Sequence, residues 1–503
     1  MKKILILILI LEMLGLGLIA FNKKDETIQS FKPYYLLAYY YSIKDRITNS
    51  TEANSIRTDS NAKSVPILLY HGILNKSDGS NVSLKMFNEQ MKALKKEGYQ
   101  TITLSDYIGF IQKQKTLPDK SFLLTFDDGR KDSYYPVDPI LKSLNFNAVM
   151  FVITGDVGTN RFYLNNSELK KMIATDRWEI DSHGQAGHDL VKINAKGDKG
   201  HFLSNKLWLE DENRLETEKE YKDRITKDFL ESRNSLKTNL GIDPLSFSFA
   251  FPYGDYGQDS INYPKAMAQI FETVKDIYPI SFFQTNSGES ASNYPNPQAF
   301  MAKRITINPN WDENDLVKVL AQTREKELPY LINQTFSPDQ GWVAVWGGND
   351  YENGLMTVEA NYRSTGSLVF LNGTNSWQDY EFKSNVIWRK GSNFLVLVRY
   401  KDDMNYVAFN ISDNTVRIEE KVNNVNKVLK EVKQNFNFPK ENLDVMIRIK
   451  NNTLECLVEN QSIATAETIS HSFSSGGIGF KTWDQILYNS ELVVKMISIT
   501  PIK

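Results

Sequence analysis

The sequence predicts an α/β fold, a parallel sheet or (β/α) barrel with outer helices, followed by an all-β jelly roll or sandwich. Strand patterns and amphipathic helix patterns alternate from residue 65 to about residue 325, which is typical of parallel α/β folds. Beyond about residue 330 the helical patterns stop, and short strands follow at even spacing. The chain of 503 residues is long enough for two or three domains with cores of their own.

Each element of the alternating region has a local signature. Short apolar runs indicate buried strands, and amphipathic runs that begin after Ser83 or Ser105 indicate helices, because a serine in that position can cap a helix. The predicted strands are 66–70, 99–104, 122–126, 147–154, 178–181, 246–251 and 280–284. The predicted helices are 84–96, a helix after Ser105, 136–144, 166–173, 216–240 and 263–274. Functional residues should gather at the carboxyl ends of the parallel strands.

The second region, 330–503, is predicted to be a sandwich that has the capacity to bind carbohydrate. Its strands are predicted at 393–400, 406–410, 415–419, 443–450, 453–458, 477–481 and 492–497. The pair Asn451-Asn452 indicates a tight hairpin. Five of the eight tryptophans lie here, namely Trp342, Trp346, Trp377, Trp388 and Trp483. Tryptophan faces can stack on sugar rings, although burial in the core is the simpler explanation for each of them.

The N-terminal segment predicts export. Two lysines precede an apolar run of 18 residues, 4–21, that one glutamate and two glycines interrupt. The run is just long enough to span a bilayer, and no clear Ala-x-Ala site follows it. We therefore favour an uncleaved signal anchor over a cleaved signal peptide at 1–21, with residues 22–64 as a stalk or linker. The chain is expected to be extracellular or at the cell surface, anchored to the membrane by this segment.

Composition excludes one class of partner. The net charge is −2 and the chain has no long basic block, so it lacks the electrostatic footprint of a nucleic-acid-binding protein. A neutral polymer such as a polysaccharide is a more natural partner. The single cysteine, Cys456, cannot form a disulfide within the chain, so the fold must depend on packing.

Two carboxylates and two imidazoles form the strongest chemical signal. Asp127 and Asp128 directly follow the predicted strand 122–126, and His183 and His188 follow the strand 178–181 about 55 residues later. Neighbouring carboxylates repel each other, and a nearby cation would relieve this repulsion. Two glycines between the histidines allow the loop to fold back, so that both rings can face one ion. One carboxylate and two histidines suit zinc, and also cobalt or nickel. The remaining carboxylate is then free to move protons, which predicts metal-assisted hydrolysis.

Three further residues are candidates for a functional role, and each of them also has a purely structural explanation. The segment 248–254 ends a predicted strand, and the backbone N–H of Tyr253 is in a position to face a developing oxyanion; an ordinary turn is an equal alternative. His71 ends the first strand, where a structural role is as plausible as a functional one. His201 lies in a polar insert, 192–217, and is expected to pack within that loop rather than contact substrate.

Together, the segments 125–129, 183–188 and 249–254 resemble the motifs of the polysaccharide deacetylase (NodB-homology) family, carbohydrate esterase family four. The resemblance covers about 65–310. The spacing of the two histidines is one residue longer than is common in the family, and together with His71 it is similar to the branch that de-N-acetylates poly-β-1,6-N-acetylglucosamine. The resemblance implies a distorted (β/α) barrel over 65–325. The region 330–503 more loosely resembles concanavalin-like or laminin-G-like jelly rolls.

The resemblance also implies roles for individual residues. Asp127 would be the catalytic base, and Asp128, His183 and His188 would hold a divalent metal, preferably zinc. The arginine that is usual in the third motif is absent, since Ser248 stands about where it is expected. Arg304 is therefore predicted to orient Asp127 instead.

The general acid is left open, because the usual late Leu-x-His motif is also missing; His71 is a candidate. The function implied is the metal-dependent removal of N-acetyl groups from a GlcNAc-containing polysaccharide at the cell surface. Two alternatives remain. The first is an O-acetyl esterase that acts on polysaccharide with the same site. The second is a glycan-binding surface protein that no longer catalyses a reaction. The absence of the usual arginine and of the late histidine supports this alternative.

Overall fold

The computed structural model describes Tyr40 and residues 61–242, 248–285, 291–362, 364–422, 424–468 and 473–502. The chain divides into two compact units, the first made of Met1–Gly288 and Pro295–Val317, the second of Glu289–Tyr294 and Lys318–Lys503. The predicted export segment 1–21 lies outside the described residues. Within the described part of the chain, no helix has both the length and the apolar character needed to cross a bilayer.

The first unit contains a closed barrel of parallel strands, which confirms the predicted fold class. Its seven strands are β1 (Ile67–Tyr70), β2 (Ser121–Phe126), β3 (Ala148–Val152), β4 (Trp178–Ser182), β5 (Phe249–Ala250), β6 (Ser281–Gln284) and β7 (Met301–Thr306). They pair in the order β1-β7-β6-β5-β4-β3-β2, and β2 pairs back onto β1 to close the sheet. Every residue of β1, β2 and β3 is buried, as expected for strands that helices enclose.

Helices alternate with these strands. They are α1 (Leu84–Lys96), α2 (Leu104–Ile111), α3 (Asp138–Leu144), α4 (Asn166–Ile173), α5 (Glu218–Leu240), α6 (Ala266–Lys275) and α7 (Glu313–Thr323). As predicted, Ser83 caps α1, since its side chain accepts the N–H of Met86. The predicted Ser105 cap is wrong. Thr103 caps α2 instead, because its hydroxyl accepts the N–H of Asp106 while the Asp106 carboxylate accepts the N–H of Thr103.

Short strands complete the first unit. Gln100–Thr101 pairs with β2, so the predicted strand 99–104 is reduced to two residues. The insert after the second histidine is more than a loop, because it contains two antiparallel pairs, Leu190–Lys192 with Lys199–His201 and Trp208–Leu209 with Arg214–Leu215. Ile73–Leu74 and Val82–Ser83 form a further parallel pair before α1.

The second unit is a sandwich of two antiparallel sheets, as predicted. The first sheet contains β8 (Tyr330–Asn333), β10 (Gly348–Glu352), β11 (Leu355–Glu359), β13 (Tyr380–Lys390), β18 (Leu443–Lys450), β19 (Thr453–Val458), β20 (Gln461–Glu467) and β22 (Glu491–Pro501). The second contains β9 (Trp342–Trp346), β12 (Gly366–Leu371), β14 (Asn393–Asp402), β15 (Asn405–Ile411), β16 (Thr415–Val422), β17 (Val425–Lys433) and β21 (Gly477–Trp483). The predicted Asn451-Asn452 hairpin joins β18 to β19, and Asn451 adopts a φ of 52°, which asparagine tolerates well.

The core of the sandwich lies between the two sheets and contains three of the five tryptophans of this region. Trp342, Trp377 and Trp388 are buried in it, together with Cys456. Burial raises the pKa of the Cys456 thiol to about 12, so this cysteine is an inert packing residue. Trp346 and Trp483 are not part of this core and remain partly exposed.

Candidate metal centre and active site

A sharp turn at the end of β2 separates the two aspartates. The N–H of Asp127 still donates to the carbonyl of Tyr70 at the end of β1, at 3.2 Å. Asp128 then takes a φ of 73° and Gly129 a φ of 71°. For Asp128 this left-handed backbone is costly, on the order of 1–3 kcal/mol, and such strain clusters at functional sites. A Cβ on Gly129 would lie 2.9 Å from Val152, so only glycine fits beside β3.

Arg304 holds Asp127. The guanidinium, on β7, donates two parallel hydrogen bonds to the Asp127 carboxylate, 2.6 Å to Oδ1 and 2.7 Å to Oδ2. Both side chains are almost completely excluded from solvent. Burial alone would raise the pKa of Asp127, but the charges of Arg304 and His183 and the hydrogen bonds from Arg304 outweigh it and lower the pKa to about 2. The predicted pair is therefore in contact, and Asp127 is an anion at neutral pH.

His183 follows β4 and is held in one tautomer. Its backbone N–H donates to the carbonyl of Val152, and its ring Nδ1 lies 2.8 Å from the carbonyl oxygen of Ala250. A carbonyl only accepts, so Nδ1 carries the ring proton and Nε2 is left bare. Burial lowers the pKa of His183 to about 4, which keeps the ring neutral. A neutral imidazole with Nδ1–H bonded to a carbonyl is the usual state of a histidine that ligates a metal.

Asp128, His183 and His188 come together as a three-residue cluster. Their ligand atoms all lie within 4.8 Å of one another. The Asp128 Oδ1 atom is 3.4 Å from Nε2 of His188 and 3.7 Å from Nε2 of His183. Ligands of a tetrahedral zinc ion, each about 2.0–2.1 Å from the metal, would lie about 3.4 Å apart. The spacing of the three donors therefore suits such an ion.

The carboxylate of Asp128 supplies a second test of this fit. Its Oδ1 atom is buried and has no hydrogen-bond partner within the described ranges of the chain. Buried acceptors are rarely left unpaired, and each exception calls for an explanation such as an unseen ion. An orphaned anionic oxygen that faces two imidazole nitrogens is explained by a cation between them. The residues present thus fit a divalent metal.

Tyr253 lies beside this cluster in a strained turn. It follows β5 with a φ of 59°, a conformation that tyrosine rarely adopts. Its ring packs on that of His188 with 4.2 Å between centroids, and its hydroxyl donates to the His188 carbonyl at 2.7 Å. Tyr253 therefore supports a predicted metal ligand. The role predicted for its backbone N–H remains a prediction.

The two remaining predicted residues lie close to the site. His71 follows β1, and its backbone carbonyl accepts a hydrogen bond from Ser133; its charge is near enough to contribute to lowering the pKa of Asp127. The ring of His201 stacks flat on Tyr253, 4.3 Å between centroids, and its Nδ1 is 2.6 Å from the buried carboxylate of Asp255. His201 therefore packs against residues outside its own insert, on the predicted site residue Tyr253 and on Asp255, and not only within the loop as expected.

Sequence reasoning missed Asp228, on α5, whose carboxylate accepts hydrogen bonds from the loop that joins the two histidines. A signal for it was present. The buried residues of α5 follow a helical stripe, Tyr221, Ile225, Asp228, Phe229, Ser232 and Leu236. An aspartate and a serine within an apolar stripe are polar groups that need buried partners.

Comparisons with known proteins agree with this geometry. Residues 114–269 match the family model for polysaccharide deacetylase. A poly-β-1,6-N-acetyl-D-glucosamine N-deacetylase of Escherichia coli K12 is 29% identical over 189 residues, which cover 35% of this chain and 28% of the relative. One of Staphylococcus aureus MRSA252 is 30% identical over 185 residues, which cover 36% and 56%.

A solved structure of a de-N-acetylase from Aggregatibacter actinomycetemcomitans is 21% identical and aligns over 51% of this chain and 99% of its own, with a TM-score of 0.43. The matches with the two curated relatives span less than two thirds of the length of either one. The family model falls within the barrel unit and covers both the aspartate pair and the histidine pair. The barrel unit of this chain therefore contains a region, residues 114–269, that is similar to polysaccharide deacetylases.

Proposed function

We propose that this chain hydrolyses N-acetyl groups from a GlcNAc-containing polysaccharide and needs a divalent metal to do so. The observation that carries the proposal is the orphaned Oδ1 of Asp128 between His183 and His188, one residue from a carboxylate that Arg304 holds in place. The names of the E. coli and S. aureus relatives support the choice of polymer and of the N-acetyl group.

Asp128, His183 and His188 would hold the metal, and zinc is proposed, with cobalt or nickel as alternatives. Such an ion would polarise the acetamide carbonyl and acidify an attacking water molecule. Because only three residues would hold the ion, it would be able to bind water or substrate as well, as in catalytic zinc sites. The tautomer of His183, fixed by the Ala250 carbonyl, leaves Nε2 bare and facing Asp128, where it would act as a ligand.

Asp127 is proposed as the base. Its carboxylate stays ionised because Arg304 keeps its pKa low, and its Oδ2 lies 3.8 Å from Nε2 of His183, next to the metal ligands. It would take a proton as water attacks the carbonyl carbon, so that a C–O bond forms. The N–H of Tyr253 would stabilise the developing oxyanion, and one such donor is typically worth about 3–4 kcal/mol. The C–N bond then breaks, a proton passes to the nitrogen, with His71 as candidate donor, and acetate and a free amine result.

The position of Arg304 favours catalysis over a barrel that only binds glycan. Because the usual arginine of the third motif is absent, Arg304 is the residue predicted from the sequence to orient Asp127. The two short hydrogen bonds from Arg304 supply that orientation from β7. Burial of an ion pair next to the metal ligands costs desolvation energy. The proposed role of Asp127 as the base explains why such a pair is present.

Removal of the metal tests the proposal. The full-length protein should release acetate from β-1,6-linked GlcNAc oligomers, lose this activity after dialysis against a chelator, and regain it when one equivalent of zinc is returned. Acetylated xylan serves as the control substrate, because its acetyl groups are ester-linked. Faster release from xylan would favour the O-acetyl esterase alternative. No release from either substrate by zinc-loaded protein would contradict the proposed activity.

We also propose that the sandwich binds the polysaccharide through the outer face of its second sheet. Along β21, Ile478 and Phe480 face the core, so Lys481 and Trp483 face outward. Trp346, after a bulge in β9, packs against the outward cluster of Leu395 and Leu397. One strand, β12, separates β9 from β21. The register sets Trp346 opposite Leu368 and Leu368 opposite Lys481, so Trp483 lies two residues further along, and the two backbone positions are about 12 Å apart. Two partly exposed tryptophans on one face of the sheet suit stacking on two non-adjacent sugar rings of one polymer chain.

Replacement of both outward tryptophans should weaken polymer binding. The change Trp346→Ala with Trp483→Ala removes the two aromatic faces, and each stacking contact is expected to be worth about 1 kcal/mol. Co-sedimentation with insoluble poly-GlcNAc should therefore show a loss of about tenfold or more in affinity. Leu331→Ala is the matched control, because Leu331 is an exposed apolar residue on the other sheet. Equal binding by the double variant and the control would contradict a glycan site on this face.

The proposed site of action is outside the cell, on the surface polysaccharide. The E. coli and S. aureus relatives are named for the polysaccharide poly-β-1,6-N-acetyl-D-glucosamine, and the apolar run 4–21 behind two lysines supports export. Anchoring by this segment is part of the proposal. Fractionation of the producing cells, with antibody against the chain, tests it.

A further inference from the structure

The loop between the two metal-ligating histidines turns its backbone N–H groups toward helix α5. The N–H of Ala186 donates to Oδ1 of Asp228 at 2.6 Å, and the N–H of Gln185 donates to Oδ2 at 3.3 Å. The side chain of Asp228 is buried. Its carboxylate thus binds two successive amides that lie between His183 and His188.

Ser232 extends the same contact by one helical turn. Its hydroxyl is 2.6 Å from that of Ser182, which in turn accepts the N–H of Gly184 at 3.2 Å. Tyr278 also donates to the Ser182 hydroxyl, at 3.0 Å. Residues four apart lie on one face of a helix, so Asp228 and Ser232 together connect three consecutive loop amides, 184 to 186, to α5.

The loop is shaped to receive an anion. Gly184 has a φ of 86°, and a Cβ at that position would lie 3.1 Å from Oδ2 of Asp228. Successive N–H groups that converge around a left-handed residue form a concave surface of positive potential. Glycine thus allows the carboxylate to approach the loop closely.

Asp228 is a costly residue to bury. Among the described residues, no lysine, arginine or histidine forms an ion pair with it, and its hydrogen-bond donors are the two amides. Burial raises its pKa to about 6, even though the hydrogen bonds from Ala186 and Gln185 act in the opposite direction. An unpaired buried carboxylate is unfavourable for folding, so its presence calls for a role other than stability.

We propose that Asp228 is a positioning residue that sets the affinity of the metal centre by fixing the loop that separates His183 from His188. The inference rests on the metal site of the proposed function. The two imidazoles are 5.4 Å apart between ring centroids, and the amides tied to α5 lie between them in sequence. Without the carboxylate the loop gains freedom, and the metal must then order its own ligands on binding. Outer contacts that orient ligands typically change metal affinity by about 10–100-fold.

The test compares Asp228→Asn with Asp223→Asn. Asparagine keeps the size of the side chain, but its NH₂ group meets a backbone N–H instead of accepting it. Asp223 is on the same helix, exposed, and paired with Lys219, so it is the matched control. Zinc affinity of the full-length protein is measured by competition with a chromogenic chelator. The visible absorption spectrum of the cobalt form reports the geometry of the ligands.

We expect Asp228→Asn to lose about 10–100-fold in zinc affinity and to show an altered cobalt spectrum, while Asp223→Asn matches the wild type. Ser232→Ala removes only the contact through Ser182, so its zinc affinity should also fall, but by less than that of Asp228→Asn. This variant replaces Asp228→Asn in the test if Asp228→Asn does not fold. Wild-type affinity and an unchanged spectrum in a folded Asp228→Asn variant would overturn the inference. Because these measurements need no substrate, a wild-type protein that binds zinc but releases no acetate would instead overturn the proposed activity.

Discussion

Asp127→Asn is expected to reduce acetate release by about 10²–10⁴-fold, the usual contribution of a general base, while zinc remains bound. Asparagine has the same shape and still offers one oxygen to Arg304, but it cannot take a proton from water. The metal ligands Asp128, His183 and His188 are untouched by the change. The measurement is acetate release at saturating zinc, together with the zinc content of the dialysed protein.

Asp128→Asn provides the contrast. This variant removes the anionic ligand whose Oδ1 faces both histidines, so it should lose zinc as well as activity. If Asp127→Asn lost the metal and Asp128→Asn kept it, the roles of the two aspartates would be reversed. Circular dichroism must accompany both, because Asp127→Asn leaves the buried guanidinium of Arg304 without an anionic partner.

Arg304→Met is expected to have the largest effect on stability. Both partners of the Arg304–Asp127 pair are buried, and removal of one partner from such a pair typically costs about 3–5 kcal/mol. In a domain of this size that corresponds to a fall in melting temperature on the order of 10 °C. Calorimetry of the full chain with chelator present should therefore move the transition of the barrel unit and leave that of the sandwich in place.

The double variant Asp127→Asn with Arg304→Met supplies the control. It leaves no buried charge unpaired, so it should melt closer to the wild type than Arg304→Met alone. Such a cycle separates the coupling between the two residues from their individual effects. A melting temperature of Arg304→Met within about 2 °C of the wild type would mean that the pair contributes little to stability.

Much of the fold could be predicted because its signals are local. The apolar run 122–126 is too short for a helix and forms β2, and Ser83 caps α1 because its hydroxyl can reach the N–H of Met86. The wrong choice of Ser105 over Thr103 came from overlooking another local signal. Both residues can cap a helix, and the capping box between Thr103 and Asp106 decides between them.

Local reasoning reaches its limit at the site. Strand ends carry Asp127, Asp128, His183 and His188, and in a parallel barrel such ends meet at one rim, so their approach follows from the pattern. Asp228 lies in the middle of a helix rich in charged residues, where a carboxylate is usually solvated. Only the packing of α5 against the histidine loop makes it a buried acceptor of two amides.

The sequence by itself determined which segments become strands and helices, and which side chains stand at the ends of the strands. These properties depend on residues a few positions apart, whose backbone hydrogen bonds and apolar periodicity are local. The tertiary structure decided the geometry of the two hydrogen bonds by which Arg304 holds Asp127, 177 residues away, a pair that the family resemblance had only suggested. It also decided the contact of α5 with the histidine loop. Such contacts depend on distances of a few ångströms between elements, and those are set only when the barrel closes and its core packs.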